Sequence, residues 1–252
     1  MTDEIVKRKR KVIFCIPTIT KPYQQCLDSL AASIPLIQAA GWEDGMASRI
    51  GNPYISYARA LMLRLAQDAH ADVIVFIDHD MQWDPQDLLT LIETEGDCVA
   101  GTYRFKWEPE EYMGSLLPDV HGRPQVRSDG AVLAHCVPAG FLKFTREGIS
   151  RFMFKHPELL YIDEGTLTVD LFNHGVHEGV WYGEDYAMSR RWNAMGGQIW
   201  ILPKLNLTHW DREKSFPGNY HNFLLRQPGG SESANPVPPD QLKLPTLLRV
   251  AA

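Results

Sequence analysis

The stretch Asp72-Val-Ile-Val-Phe-Ile-Asp78-His-Asp80 decides the reading of this 252-residue chain. Its five consecutive apolar residues, mostly β-branched, are too few for a helix and suit a strand buried on both faces. The run ends in two carboxylates one residue apart. Asp84-Pro85 follows, an N-cap and first-turn proline that open a helix. Asp78 and Asp80 are therefore expected at the carboxyl end of a core strand, the edge at which open α/β sheets bind ligands. An Asp-x-Asp pair often arises by chance and caps many turns; its position gives it weight here. Carboxylates this close repel unless a cation or a shared proton lies between them. Oxygen donors suit a hard cation, Mg²⁺ or Mn²⁺, and such a cation suits a diphosphate.

Toward the N-terminus, Val12-Ile-Phe-Cys-Ile16 reads as a first buried strand running into the polar turn Pro17-Thr18-Ile19-Thr20. Residues 23–40 read as a helix that Pro35 breaks or kinks. A second strand is expected around Ala47 to Ile50. Asn52-Pro53 reads as the opening of a helix whose apolar face is Ile55, Ala58, Met62, Leu65 and Ala66. Ser56 and Arg59 fall near its start. Arg59 is either a solvated surface residue or a phosphate contact at the helix N-terminus. After the helix of residues 84–95, a strand is expected over residues 97–103. This alternation indicates a parallel sheet with right-handed crossovers. Neither Gly-x-Gly-x-x-Gly nor Gly-x-x-x-x-Gly-Lys occurs, which argues against dinucleotide and P-loop sites.

Residues 104–130 read as irregular. Strands are expected over 131–136 and 141–144, around Pro138-Ala139-Gly140, whose small residues permit close backbone approach. A short helix over 145–154 leads to loops over 156–178, where His174 and His177, flanked by glycines, suit a surface loop better than a metal pair. Gly183-Glu184-Asp185 opens a helix with Met188, Trp192 and Met195 on one face. Glu184 and Asp185 either complement the helix dipole or include a positioned general base. A strand over 198–202 leads on to His209. Residues 1–226 read as one domain, followed by a tail, 227–252, rich in proline, glycine and serine that reads as extended or disordered.

The composition, 44% hydrophobic and 22% charged with a net charge of −6, is that of a globular domain and gives no support to broad nucleic-acid binding. The four cysteines match no zinc spacing, and Cys15 and Cys98 lie in apolar runs, so buried thiols are expected. The apolar run behind Lys7 to Lys11 is too short for a signal peptide core or a membrane span, so a cytoplasmic protein without a transmembrane segment is expected.

Together, Asp78-His-Asp80 after a buried strand, Gly183-Glu-Asp185-Tyr at a helix start and a later strand leading to His209 resemble the GT-A glycosyltransferases. The resemblance covers about residues 11–221. It implies an α/β fold with a Rossmann-like, mostly parallel sheet flanked by helices and a smaller mixed sheet on the acceptor side. The nucleotide-sugar half would be 11–106 and the acceptor half 107–226. It implies a metal-dependent transfer of sugar from a nucleoside-diphosphate sugar, a UDP-sugar as first guess, to a hydroxyl of a saccharide or other acceptor, with inversion. Mn²⁺ or Mg²⁺ would be held by Asp80 and His209, with Asp78 on the metal or the ribose. Pro17 and Thr18 lie where members cradle the base, and Ser56 and Arg59 resemble their Ala-Arg helix start. Gly101 to Lys106 resembles a Gly-x-Tyr-x-x-Lys stretch that would bring Lys106 to the donor, and Gly140-Phe141 a strand lining the site. By the same likeness Asp185 would be the general base, with Glu184 second. A DNA acceptor is conceivable for a viral member, and the net charge lends it nothing.

Three other readings share these residues. A metal-dependent phosphoesterase would use Asp78, Asp80 and His209 as a cluster, but should want more histidines at strand ends. A nucleotidyltransferase also uses strand-end carboxylates and a metal, but carries a glycine-rich basic loop where this chain has Pro17-Thr-Ile-Thr20. A non-catalytic nucleotide-binding domain of similar fold would need neither base nor metal ligands.

Overall fold

The computed structural model describes residues 8–227, and the expected tail falls outside them apart from Gln227. β1 (Arg10–Thr18), α1 (Gln24–Ala39), β2 (Trp42–Ile50), α2 (Ile55–Asp68) and β3 (Val73–Ile77) come first. They are followed by β4 (Met81–Trp83), α3 (Pro85–Glu93), β5 (Cys98–Ala100), β6 (Ser115–Leu116), β7 (Val132–Cys136) and β8 (Phe141–Thr145). Next are α4 (Arg146–Lys155), the hairpin β9 (Leu160–Asp163) and β10 (Thr166–Val169), and the hairpin β11 (Gly175–His177) and β12 (Val180–Tyr182). α5 (Glu184–Ala194), β13 (Ile199–Ile201), β14 (Asn206–Asp211), β15 (Lys214–Asn219) and α6 (Tyr220–Arg226) complete the described chain.

The fold is mixed α/β. Eight strands form one sheet in the order β2-β1-β3-β8-β5-β13-β7-β6. β1 pairs parallel with β2 and β3, and β13 with β5, while β8 and β7 run against their neighbours. The sheet is thus mostly parallel in strand direction, as expected, but not a continuous parallel succession. β8 enters between β3 and β5, where simple alternation would have set those two side by side. Phe141, Leu142, Lys143 and Phe144 are all buried there, and this long-range pairing leaves no periodic signal in the sequence. It also interleaves the two halves read from the sequence within one sheet.

β3 shows why the sheet has helices on both faces. All five of its residues are buried. Ile74 and Phe76 join one core cluster, whereas Val73, Val75 and Ile77 join the other. This alternation is that of a strand covered above and below. The smaller sheet is β15-β14-β4 and is wholly antiparallel, not mixed. It forms because the chain turns sharply after Asp78 and gives a second short strand, Met81-Gln-Trp83, for β14 to pair with.

Several boundaries moved. β1 and β2 each span nine residues, longer than the apolar runs alone indicate, because they pair with each other along their full length. α1 runs unbroken through Pro35, with the Ser33 hydroxyl donating to the Ser29 carbonyl one turn earlier at 2.7 Å. Asn52 does not cap α2; its side chain accepts from the Tyr54 N–H at 2.9 Å in a turn, and the helix starts at Ile55. Asp84 is the N-cap residue of α3 with Pro85 behind it, as read from the sequence. The span 156–178, expected as loops, contains β9, β10 and β11. Cys15, Cys26, Cys98 and Cys136 are free and buried. Among the described residues no helix is long and apolar enough to cross a membrane.

Candidate active site

Asp78 is the first residue beyond β3. Its N–H donates to the Gly140 carbonyl at 3.0 Å, continuing the β3–β8 ladder past the last paired residue. Asp80 is 7% exposed and its carbonyl accepts from the Trp210 N–H at 2.9 Å. This contact ties Asp80 to β14, whose register sets His209 opposite Met81. His209 Nε2 thereby lies 3.6 Å from Asp80 Oδ1, and its Nδ1 is 2.9 Å from the Arg104 carbonyl. A carbonyl only accepts, so Nδ1 carries the proton and Nε2 is turned toward the carboxylate.

Asp80 Oδ1 is buried without a hydrogen-bond partner, and Asp80 Oδ2 takes the Lys106 ammonium. Burial alone would raise this carboxyl, yet His209 and Lys106 beside it hold it well below the usual carboxylate range. An orphaned carboxylate oxygen facing an imidazole nitrogen offers one oxygen and one nitrogen donor to a divalent cation. Among the described residues no third histidine, cysteine or carboxylate joins them. The pair fits a metal that takes its remaining ligands from a phosphate-bearing substrate and water, the manner usual for Mg²⁺.

Asp78 points elsewhere. Its Oδ1 receives Arg59 Nη2 at 2.9 Å, and Tyr103 Oη lies 3.4 Å from its Oδ2. Arg59, on the second turn of α2, is only 1% exposed. Its Nη1 lies 3.2 Å from Glu184 Oε1 and 3.5 Å from Asp185 Oδ1, and its guanidinium sits over the Phe172 ring. Arg59 is thus neither a solvated residue nor a free phosphate hook. It is the buried cation that joins the strand-end carboxylate to the Glu184–Asp185 helix start, 125 residues away from it in sequence in the case of Glu184.

Gly183 is the N-cap of α5, so Glu184 and Asp185 occupy its first turn. Asp185 Oδ2 accepts from the Ala139 N–H at 3.1 Å, and Oδ1 is buried without a hydrogen bond. Burial raises the Asp185 carboxyl most; Arg59 opposes it, Glu184 and Asp78 add to it, and the result is about 7. Burial thus outweighs the α5 N-terminus, which alone would favour the ionised form. Glu184 moves the other way, because Arg59 and its own backbone N–H outweigh its desolvation. Four carboxylates (Asp78, Asp80, Glu184 and Asp185) face two cations, Arg59 and Lys106. With all four ionised the surplus is two negative charges, which suits a divalent cation; a proton held on Asp185 removes one of them.

Tyr103 is the site residue that the sequence reading did not single out. It is buried, accepts from the Gly140 N–H at 3.0 Å and contacts Asp78. A Cβ at position 140 would collide with both the Tyr103 hydroxyl and Asp78 Oδ2, so glycine is required for this approach. The signal was present in Gly101-Thr-Tyr103, the stretch that also supplies Lys106.

Pro17 and Thr18, the buried end of β1, lie along the same carboxyl edge of the sheet. Thr18 Oγ1 is buried and unpartnered. Ser56 is buried in the first turn of α2, one turn before Arg59. The rim carries Trp181, 63% exposed on β12 just ahead of Gly183. His174 and His177 lie along the β11–β12 hairpin, where His177 faces Glu178 and no metal-binding pair forms among the described residues. Lys214, 2.9 Å from Glu108 and 58% exposed, is outside the cluster.

No protein-family model and no curated protein matches the sequence. In shape the chain is similar to protein A197 from STIV, at 16% identity and a TM-score of 0.48, over 83% of this chain and 94% of that one. It is also similar to the catalytic domain of Drosophila β1,4-galactosyltransferase 7, solved in complex with xylobiose, at 13% identity and a TM-score of 0.41, over 76% of this chain and 64% of that one. A third likeness is to GalNAc-T7, solved with UDP, GalNAc and Mn²⁺, at 11% identity and a TM-score of 0.46, over 81% of this chain and 44% of that one.

Proposed function

We propose that the chain is a GT-A glycosyltransferase that moves a sugar from a nucleoside-diphosphate sugar to an acceptor hydroxyl with inversion. The observation that carries the reading is the Arg59 clamp. It gathers Asp78 at the strand end and Glu184–Asp185 at a helix start around one centre, beside an Asp80 oxygen that is buried and unsatisfied. Each of the four carboxylates has an ion-pair partner, yet Asp80 Oδ1 and Asp185 Oδ1 are buried without hydrogen bonds, which leaves two acceptors unspent at one centre.

In this reading Asp80 and His209 hold Mn²⁺ or Mg²⁺, and Asp78, fixed by Arg59 and Tyr103, faces the ribose side. Bound there, a divalent cation stabilises the charge that grows on the departing diphosphate. Pro17, Thr18 and Ser56 line the nucleoside pocket, and Thr18 Oγ1 supplies an unspent hydrogen-bonding group. Lys106 adds positive charge for the diphosphate. Asp185 takes the proton of the acceptor hydroxyl. A carboxyl raised to about 7 is well matched to a general base near neutral pH, because it is both available and basic. The exposed Trp181 offers a flat apolar face to a saccharide ring.

The test is release of nucleoside diphosphate from several sugar nucleotides, UDP-sugars first, with and without Mn²⁺, in the wild type and Asp80→Ala. Metal-dependent release that Asp80→Ala abolishes is expected. Release that is indifferent to metal and to the substitution would refute the reading, as would none with any donor.

A further inference from the structure

We propose that Lys106 is a resident counter-cation for Asp80 that must be displaced before a metal can bind, so that divalent cation and nucleoside diphosphate bind as a coupled pair. The inference rests on the metal reading above and goes beyond it in assigning an order and a switch to the site.

The two oxygens of Asp80 are in different states. Oδ2 is engaged by the Lys106 ammonium, while Oδ1, buried and without a hydrogen bond, faces His209 Nε2 at 3.6 Å. A divalent cation placed between Oδ1 and Nε2 would share one carboxylate with an ammonium, and like charges that close repel strongly in a half-buried site. One of them must leave.

Lys106 is the one free to do so. Its side chain is 28% exposed, against 10% for Asp80. The backbone carrying it is held independently of the ion pair. The Phe105 N–H donates to the Glu111 carbonyl at 3.0 Å, Phe105 stacks on Trp107 with centroids 4.3 Å apart, and Lys214 grips Glu108. The Arg104 carbonyl meanwhile fixes the His209 ring. A rotation of the four-carbon lysine stem therefore uncovers Asp80 without moving the imidazole ligand. A phosphate is a natural destination for the ammonium, which binds phosphate as a point charge.

Metal alone must displace Lys106 with nothing to receive it, whereas a diphosphate arriving with the metal accepts the lysine and releases Asp80. Linkage then requires the nucleotide to tighten metal binding and the metal to tighten nucleotide binding by the same factor. Calorimetry with Mn²⁺ alone, UDP alone and Mn²⁺ at saturating UDP reads this directly. In the wild type, UDP should strengthen Mn²⁺ binding by about 5- to 150-fold, the usual range for coupled sites. In Lys106→Met, Mn²⁺ alone should bind more tightly than to the wild type, and the gain from UDP should shrink. Lys106→Gln, checked by circular dichroism, repeats the comparison if the first variant folds poorly. Unchanged or weaker binding of Mn²⁺ alone in the variants, with UDP-dependent binding intact, overturns the competition and spares the metal site. A wild-type gain of one does the same without any variant. No Mn²⁺ binding under any condition removes both proposals together.

Discussion

Asp185→Asn is expected to stabilise the protein above neutral pH while lowering turnover about a hundredfold or more. The carboxyl is 16% exposed, and its ordinary value of 3.8 is raised to about 7, by burial first and then by Glu184 and Asp78 against the opposing pull of Arg59. An acid raised on folding holds its proton in the native state over a range where the unfolded chain has already released it. Stability is therefore full below about 4, falls as pH rises, and reaches its lower plateau above about 7. At about 1.4 kcal/mol per pH unit, the interval from 3.8 to about 7 sets a ceiling near 4 kcal/mol on that loss. Glu184 shares the titration through its contact with Asp185, so a loss of about 1–3 kcal/mol is the working expectation.

The amide keeps the shape of the acid, still accepts from the Ala139 N–H, and cannot ionise. At about pH 5 the variant and wild type should differ by less than about 1 kcal/mol, and at about pH 8.5 the variant should be more stable by about 1–3 kcal/mol. Urea unfolding at the two pH values, with equal m-values as the check on two-state behaviour, makes the measurement. Parallel pH profiles, or a variant less stable than wild type at the higher pH, would refute the reasoning. Turnover of the same variant should fall about a hundredfold or more, the scale of losing a general base, with donor affinity preserved and the wild-type product inverted by NMR. A retained anomer would remove Asp185 from that role.

Arg59→Met should cost about 3–5 kcal/mol, since it leaves Asp78, Glu184 and Asp185 without their shared cation. The Glu184 and Asp185 carboxyls, which Arg59 holds down, then titrate higher in the folded state, so the loss should be larger at about pH 8.5 than at about pH 5; equal losses would show that lost packing over Phe172 dominates. Gly140→Ala should destabilise by about 1–3 kcal/mol through its clash with Tyr103 and Asp78, and Tyr103→Phe in the same chain should recover part of it. Full cost in the double variant would place the strain in the backbone instead. Chelator treatment should leave the thermal midpoint unchanged, because the Lys106 ammonium can neutralise Asp80 once a metal is removed; a fall of several degrees would mean that a metal holds the fold.

What could be read from the sequence, and what could not, divides along a physical line. The Val73–Ile77 run, the Asp84-Pro85 helix start and the Gly183-Glu184-Asp185 helix start are local signals, and each is where it was expected. Residues that depend on partners far along the chain were not legible. Lys143 lies in a central strand, 2% exposed, because its ammonium meets the carbonyls of Ile92 and Thr94 at the end of α3. Nothing adjacent to Lys143 announces that partner, so β8 could be recognised as a strand but not placed between β3 and β5. Arg59 is the same case at the site itself. An arginine on a helix is exposed unless something far away neutralises it, and here Asp78, Glu184 and Asp185 do so.

The same division explains why the surroundings of Asp78 and Asp80 differ. In sequence they are equivalent, two acids flanking His79. In the fold, Asp78 continues the β3–β8 ladder and its side chain turns to Arg59 on α2. Asp80 has entered the turn into β4 and belongs to the small sheet with His209. One carboxylate is saturated by a fixed guanidinium whose guanidinium plane cannot leave, since Arg59 is buried and spans three acids. The other is covered by a partly exposed ammonium and keeps one oxygen unspent. In the proposed reading a ligand cation therefore competes for Asp80 and not for Asp78. The division of labour proposed for the two acids follows from which sheet each one adjoins.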